Sequence, residues 1–255
     1  MTNPIAGDGR IHVRSPLMGE SLQAREVVAR THSEREIVIL PDVTMVSIGG
    51  QSIFDRGADA ILPLVEELAA NMKRRKLLIG VGGGTRVRHT CSIALDLGLP
   101  TGGVAQLVGA MEECNAVFLN ALLAKHGSVP MQRDHFWDLP VFYNSGLTPI
   151  AISVPPYHFW EPPNAESPIP AHGSDFGLFM HAEVLGMDRA IFVKDEDGLY
   201  DKDPKHHADA TLIPEITLAE LDANMPEELI LDRQVFEAWK DARHVRRIQI
   251  VNGLV

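Results

Sequence analysis

The chain has 255 residues and a mass of 28.0 kDa, a length that suits one large α/β domain with a substantial core. Its 34 acidic and 23 basic residues give a formal net charge of −11, which argues against broad non-specific binding to nucleic acid or to an anionic membrane surface. A locally positive pocket is still compatible with this balance, because the groups that line a site decide what it binds.

Cysteine usage and hydropathy bear on the compartment. Cys91 and Cys114 lie in segments predicted to be helical and show neither CxxC nor zinc spacing, so we expect reduced core thiols. The N-terminus carries no apolar signal core, and no window approaches the about 20 apolar residues of a membrane span. We therefore expect a cytoplasmic protein without a membrane segment.

The first part of the chain differs in pattern from the rest. Residues 1–36 are polar and lack a sustained hydrophobic period, which predicts an N-terminal arm, with a disordered tail as an equally open alternative. Residues 37–255 are predicted to form the domain. They begin with two apolar runs too short for helices, 37–40 and 43–48, separated by Pro41.

Two glycine turns follow short apolar runs. The run 44–48 ends on a first glycine turn (49–50), and the run 77–81 ends on a second glycine turn (82–84). Bare glycine backbone lets N–H groups approach an anion closely, so the two turns are candidates for a shared polyphosphate site. Tight turns that only let helices pack close to strands remain the alternative. Thr85 stands where a dinucleotide fingerprint needs a third glycine, and no P-loop motif is present.

The rest of the chain alternates helical and strand-like patterns. Predicted helices cover 57–76, 85–97, 104–126, 174–186 and 231–244, and predicted strands cover 77–81, 149–154, 190–194 and 248–251. Thr217 and Glu220 form a predicted capping box. This alternation predicts a mainly parallel sheet with helices on both faces, in which ligands bind at the carboxyl ends of the strands.

Two loops are candidates for function. Residues 155–172 contain six prolines, and a loop of this length inside a compact domain is usually functional. Residues 195–204 form an acidic loop after a strand. Its aspartates, glycine and tyrosine can hydrogen-bond a ribose, stack on a base or hold Mg²⁺, although an acidic turn is more often only solvated.

The order of these motifs resembles the amino acid kinase superfamily, with bacterial uridylate kinase as a relative. The resemblance is carried by the two glycine turns, a lone Asp175 that opens a helix, the loop Asp-x-Asp-Gly-Leu-Tyr-x-x-Asp-Pro that starts at Asp195, and a late strand that ends in Val-Asn-Gly. Within the superfamily, the stretches 48–52, 55–68, 86–89, 155–157, 192–200 and 251–255 are similar to the molybdenum storage protein family along nearly the whole chain.

This resemblance implies a three-layer αβα sandwich with a mainly parallel central sheet. It also implies a hexameric cage, homo- or heteromeric, in which a homologous subunit is the partner, ATP with Mg²⁺ is bound, and molybdate or tungstate is stored as polynuclear oxide clusters. Asp175 would match the kinase-type catalytic aspartate. The residues implied at the nucleotide are Ser47, Gly49, Gly50, Gly82, Gly83, Gly84, Arg86, Lys194, Asp197, Tyr200 and Asp203.

Ser47 departs from the superfamily pattern. Relatives carry a lysine just before Ile-Gly-Gly, where an ammonium neutralises charge on the transferring phosphoryl group, and a neutral hydroxyl cannot supply that charge. ATP hydrolysis is then expected only if the site or a partner subunit compensates. A uridylate-type nucleoside monophosphate kinase, possibly degenerate, and a silent cage component are the alternatives. Relatives also continue beyond the position of Val255, so the sheet is expected to lack an edge element or the sequence to be incomplete.

The proline-rich loop suits oxide storage, because imidazole ligates such metals or donates to their oxo groups. The candidate metal ligands are His158, His172 and Glu161, with His135 as a further candidate. Exposed loop histidines beside a subunit contact are an equally open alternative.

Overall fold

The structure is a computed structural model that describes residues 3–4, 11–12, 21–29, 37–132, 135–155, 161, 165 and 167–255. The chain forms two units, Met1–Ile37 and Val38–Val255. In the first unit, strands β1 (Asn3–Pro4) and β2 (Ile11–His12) pair antiparallel, and α1 (Arg25–Val28) follows. The second unit carries the central sheet and all the site residues considered below.

A six-stranded sheet is the centre of the second unit. Its strands are β3 (Val43–Ile48), β4 (Lys76–Val81), β5 (Ser128–Pro130), β6 (Thr148–Ile152), β7 (Arg189–Lys194) and β10 (Arg247–Asn252). They lie in the order β10-β7-β3-β4-β6-β5, and every neighbouring pair is parallel. Strands β8 (Leu199–Tyr200) and β9 (Leu212–Ile213) form a separate antiparallel pair. The carboxyl ends of the six parallel strands therefore share one edge.

Helices connect these strands. They are α2 (Ala58–Met72), α3 (Gly84–Asp96), α4 (Thr101–Leu123), α5 (Leu139–Asn144), α6 (Ser174–Leu185), α7 (Leu218–Ala223) and α8 (Arg233–Trp239), with short 3₁₀ turns at Phe54–Arg56, Ala124–His126 and Phe136–Asp138. The predicted capping box is present at the start of α7, where Thr217 and Glu220 cap each other.

Both faces of the sheet are covered because side chains alternate along each strand. Val43 and Met45 of β3 pack into a core shared with α6 and α8. Val46 and Ile48 point the other way, into a core shared with α2 and α4. This arrangement confirms the predicted αβα architecture with a mainly parallel central sheet.

Several elements differ from the sequence prediction. The helix expected over 57–76 ends at Met72, and Lys76 already begins β4. Strand β5 and helix α5 are not among the predicted elements. The apolar run 37–40 forms no strand; Val38 and Ile39 are exposed, and the Leu40 N–H donates to the Leu185 carbonyl at the end of α6. The helix predicted over 231–244 ends at Trp239. Beyond it, the Glu183 carboxylate accepts hydrogen bonds from the backbone N–H groups of 243–245, which removes them from a helical ladder.

The segment Thr101–His126 is long and apolar enough to cross a membrane by length and composition alone, contrary to the expectation that no window of the chain approaches such a span. Its helix α4 packs against β4, β5 and β6 of the sheet and carries the buried polar side chains Glu112 and Asn115. A core helix of an α/β domain passes the same length and composition test.

Candidate functional site

A cleft of about 420 Å³ opens at the carboxyl edge of the sheet. Five segments form it: the two glycine turns, the N-terminus of α6, the loop after β7 and the segment that precedes α8. The residues that line it include Gly49, Gly50, Gly82, Gly83, Gly84, Arg88, Asp175, Lys194, Tyr200, Asp203, Lys205, Glu228 and Asp232. This is the position that the strand–turn pattern predicts for a ligand in a parallel sheet.

The two glycine turns pack directly against each other. The Gly82 N–H donates to the Ile48 carbonyl at 2.8 Å. A Cβ atom at Gly50 would overlap the backbone of Gly82 and Gly84, so only glycine fits there. The expected convergence of the two turns is therefore present, and a close backbone approach is its physical cause.

Asp55 joins the two turns, a role that the sequence did not indicate. Its backbone N–H donates to the Gly50 carbonyl at 2.8 Å. Its carboxylate accepts from the Thr85 N–H at 2.5 Å, at the start of α3. Gly84 has a φ of +63°, a left-handed conformation that glycine adopts at low cost. Because Asp55 and Thr85 are 30 residues apart, no local pattern marks the pair.

Asp175 lies beneath the cleft between two polar partners. Lys194 Nζ donates to Asp175 Oδ2 at 2.7 Å, and both side chains are largely buried. Ser47 Oγ lies 3.4 Å from Asp175 Oδ1 and is fully buried at the end of β3. Three residues named from the sequence are thus brought together, with the ammonium contributed by β7 and a hydroxyl contributed by β3.

Asp232 and Glu112 add two acidic groups that the sequence did not indicate. Asp232 Oδ2 accepts from the backbone N–H groups of Asp175 and Phe176 at 3.1 and 3.2 Å, so it caps α6. Burial, with the Asp175 carboxylate beside it, raises the pKa of Asp232 to about 6.

Glu112 projects from α4 and is almost completely buried. Burial first, and then the carboxylates of Asp232 and Asp175, raise the pKa of Glu112 well above its ordinary value. Its Oε2 atom has no hydrogen-bond partner within the described ranges.

The acidic loop after β7 is held by several ion pairs. Asp195 accepts from Arg56 at 2.7 Å and from Lys205 at 2.8 Å. Burial opposes ionisation, but these hydrogen bonds hold the pKa of Asp195 below its usual value. Tyr200 and Asp203 line the cleft, whereas the Asp197 carboxylate accepts from Asn252 Nδ2 at the end of β10.

Arg86 is placed away from the cleft lining. Its guanidinium donates to Asn115 Oδ1 and lies over the rings of Phe54 and Phe118, at 5.4 and 5.3 Å from their centroids. Among the described residues that line the cleft, the arginine is Arg88, two positions further along α3.

The predicted metal ligands fall into separate groups. His172 Nδ1 lies 2.8 Å from Glu161 Oε1, and the His172 ring stacks on Phe176 at 4.4 Å between centroids. His135 Nδ1 instead pairs with Asp138 at 2.8 Å. His158 lies outside the described residues. A further group has ligand atoms that all lie within 4.8 Å of one another: Asp203, His206 and Glu228. His206 and Glu228 are exposed and Asp203 is half-buried, and exposed acidic groups are common without an ion, so we assign no metal to them.

The similarity of the chain to known proteins shows its family. The model of the amino acid kinase family matches residues 154–252. The beta subunit of the molybdenum storage protein from Azotobacter vinelandii is 44% identical over 250 residues, which cover 94% of this chain and 88% of that subunit. The chain belongs to the molybdenum storage protein family.

Other relatives place this molybdenum storage family member within a broader fold. A uridylate kinase from Methanobrevibacter smithii is 26% identical over 179 residues, 69% of this chain and 72% of that enzyme. The crystal structure of uridylate kinase from Archaeoglobus fulgidus superposes with a TM-score of 0.64 over 82% of this chain and 90% of that chain, at 16% identity. At that identity the likeness shows the fold alone, which is that of the amino acid kinases.

Proposed function

We propose that this chain is a subunit of a cytoplasmic molybdenum storage cage, a hexamer formed with a homologous subunit. In this proposal it binds ATP with Mg²⁺ in the cleft, and the assembly stores molybdate or tungstate as polynuclear oxide clusters. The observation that carries the proposal is the 44% identity, over 94% of the chain, to a protein named as a molybdenum storage subunit.

The cleft suits a polyphosphate. A Cβ atom at Gly50 or Gly82 would collide with the opposite turn, so the two turns pack backbone to backbone at the cleft. Bare glycine backbone of this kind suits an anion, because no side chain covers its N–H groups. Arg88 and Lys194 add positive charge to the lining, and Tyr200 and Asp203 suit the nucleoside. Mg²⁺ is usually held by one or two carboxylates together with phosphate oxygens, and Asp175 is the carboxylate proposed for it.

Phosphoryl transfer is a weaker expectation for this subunit. The ammonium nearest to Asp175 is that of Lys194, which is engaged with the carboxylate, and β3 offers only the Ser47 hydroxyl. Losing one electrostatic stabiliser of a developing charge typically costs about 10²- to 10³-fold in rate. We therefore assign nucleotide binding to this chain and ATP-driven deposition to the assembly, with the partner subunit as the candidate for hydrolysis.

His172 and Glu161 are the best-placed candidate ligands of an oxide cluster. A carboxylate that accepts from one imidazole nitrogen orients the ring and raises its basicity, which is the usual environment of a metal-binding histidine. His158 and His135 remain candidates on the same chemical grounds, since neutral imidazole ligates transition metals.

Metal analysis of the assembly tests the proposal. Protein purified from molybdate-fed cells, together with any co-purifying subunit, is analysed for molybdenum by mass spectrometry and for native mass. We expect many metal atoms per assembly, and fewer in a His172→Ala variant than in a His207→Ala control, in which an exposed loop histidine is removed. Metal at no more than trace stoichiometry, with and without ATP, would overturn the proposal.

A uridylate-type nucleoside monophosphate kinase is the second candidate, because the relatives at 26% identity carry that name. It predicts ADP formation from ATP and a nucleoside monophosphate in a coupled assay. If the missing lysine is the defect, Ser47→Lys raises this rate. Absence of phosphotransfer in both the wild type and Ser47→Lys would eliminate the kinase.

A further inference from the structure

We infer that Asn115 is a positioning residue of the proposed nucleotide site, and that it holds the second glycine turn in its anion-binding conformation with Arg86 as its own support. The inference deepens the proposed function and depends on it. Asn115 lies on α4, more than 30 residues from the turn in sequence.

The side-chain amide of Asn115 is fully buried and uses both of its ends. Nδ2 donates to the Gly82 carbonyl at 2.8 Å and to the Gly83 carbonyl at 3.1 Å. Oδ1 accepts from Nε of Arg86 at 2.9 Å and also from its Nη2. Carbonyl oxygens only accept and a guanidinium only donates, so these partners fix which way the amide faces. A flipped amide would place two donors against Arg86 and an acceptor against two carbonyls.

This contact sets the direction of two consecutive peptide groups. In a trans peptide the C=O and the following N–H point in opposite directions, and the described chain contains no cis peptide bond. Asn115 holds the carbonyls of Gly82 and Gly83 toward α4, so the N–H groups of Gly83 and Gly84 face away from α4. Gly83 and Gly84 both line the cleft, so these two N–H groups are the donors that the inference assigns to a phosphate.

A glycine triplet needs such a restraint. Glycine populates many backbone conformations, so the turn 82–84 depends on contacts from outside it, and ordering it on binding would reduce affinity. The Gly82 N–H bond to Ile48 and the Asp55 carboxylate at Thr85 hold its two ends, and Asn115 adds the contact that fixes its carbonyls.

Arg86 extends the restraint to the first glycine turn. Its guanidinium lies over the rings of Phe118 on α4 and Phe54, and the N–H of Phe54 donates to the Gly49 carbonyl at 2.9 Å. Arg86 therefore connects α3, α4 and the segment after the first turn. In this arrangement its charge supports Asn115 and does not contact the phosphates directly.

Calorimetric titration of the purified assembly with MgATP tests the inference. Asn115→Ala is expected to weaken binding by about 10- to 100-fold, because two buried hydrogen bonds to the turn are lost. Asn120→Ala is the matched control: it also removes a hydrogen bond from α4, the one that Asn120 Oδ1 accepts from Ser128 at 2.8 Å, but away from the turn. The affinity of Asn120→Ala for MgATP is expected to equal that of the wild type.

Hydrogen–deuterium exchange separates positioning from general damage. In Asn115→Ala, exchange is expected to rise in the peptide that contains 82–84 and to stay unchanged in β7 and α6. If Asn115→Ala does not fold, Arg86→Met provides the second test, since it removes the support of Asn115 while keeping an apolar stem against the two rings. Arg86→Met is expected to weaken MgATP binding and to raise exchange in 82–84, in both cases by less than Asn115→Ala does.

The outcomes distinguish the positioning role of Asn115 from the existence of the nucleotide site. If the wild type binds MgATP and Asn115→Ala binds it with the same affinity, the positioning role is overturned and the nucleotide site stands. The same result in Arg86→Met has this meaning where Asn115→Ala does not fold. Failure of the wild type to bind MgATP would overturn the proposed nucleotide site, and the inference with it. Added salt weakens direct contacts between a cation and a phosphate. If salt lowers the affinity for MgATP in the wild type but not in Arg86→Met, then Arg86 contacts the phosphate directly, which contradicts its supporting role.

Discussion

Lys194 Nζ lies 2.7 Å from Asp175 Oδ2, and the two side chains are only 11% and 7% exposed. The pair joins the end of β7 to the start of α6 beneath the cleft. A largely buried ion pair of this kind is costly to break from one side, because the remaining charge is left without compensation in a low-dielectric environment.

Lys194→Met is therefore expected to lower the free energy of unfolding by about 3 kcal/mol, measured by urea denaturation. Asp175→Asn in the same background is expected to restore part of this loss, since it removes the uncompensated carboxylate. The double-mutant cycle should give a coupling energy of at least about 1 kcal/mol. Strictly additive effects would mean that the pair does not stabilise the fold.

The glycine turns offer a matched comparison of two Gly→Ala substitutions. Gly50→Ala places a Cβ atom against the backbone of Gly82 and Gly84, which cannot rotate away as a side chain would. We expect a loss of more than about 2 kcal/mol in the free energy of unfolding and loss of MgATP binding. In Gly102→Ala, on α4, the added methyl group meets open space, so the variant should be as stable as the wild type or up to about 1 kcal/mol more stable.

An equal effect of the two substitutions on stability would contradict the close packing of the two turns. Retained MgATP binding in Gly50→Ala would separately contradict the assignment of these turns to the phosphates. Calorimetry on the folded fraction keeps the two conclusions apart.

Glu112 makes stability depend on pH in a defined direction. Its pKa is raised well above the ordinary value of 4.5, so the folded state binds a proton that the unfolded state releases above that pH. The stabilising contribution is complete below about pH 4.5 and is lost as the pH rises toward the pKa of the folded state. Glu112→Gln carries no titrating proton at this position.

The free energy of unfolding of Glu112→Gln is expected to rise relative to the wild type as the pH increases from about 4.5 to 8. Urea titrations at several pH values measure this difference, and the trend does not depend on any constant offset caused by the amide. A difference that is independent of pH, or that falls with rising pH, would contradict the raised pKa of Glu112.

Glu161 should control metal binding through His172. Glu161→Gln keeps the size of the side chain but removes the charge that orients the imidazole, and such changes next to a metal ligand typically cost about 10- to 100-fold in affinity. Molybdenum retained after desalting measures the effect. Asp138→Asn, which alters the carboxylate beside His135, is the matched variant and distinguishes the two histidines as ligands.

Local patterns predicted the parts of this fold that local physics determines. The runs 43–48 and 77–81 are strands because their apolar side chains serve both faces of the sheet, and the glycine turns follow because the backbones of Gly50 and Gly82 approach closely. Thr217 caps α7 with a partner three residues away, which the sequence displays directly.

The remainder depends on contacts between distant segments. Asp232 caps a helix through the N–H of Asp175, 57 residues earlier in the chain, and Asn115 reaches the second glycine turn across more than 30 residues. Arg86 follows a glycine turn, which favours an anion contact by sequence, yet its guanidinium lies over two aromatic rings and donates to Asn115. Spacing does not encode these contacts, because the packing of α4 and α8 on the sheet creates them.

The most direct measurement is a crystal structure of the assembly loaded with molybdate and MgATP, with anomalous data collected at the molybdenum absorption edge. We expect clustered molybdenum peaks inside the assembly, with His172 or one of the other candidate histidines in contact with a cluster, and triphosphate density against the turns 49–50 and 82–84. An assembly prepared in this way that shows neither clustered molybdenum peaks nor nucleotide in the cleft would contradict the proposed storage function.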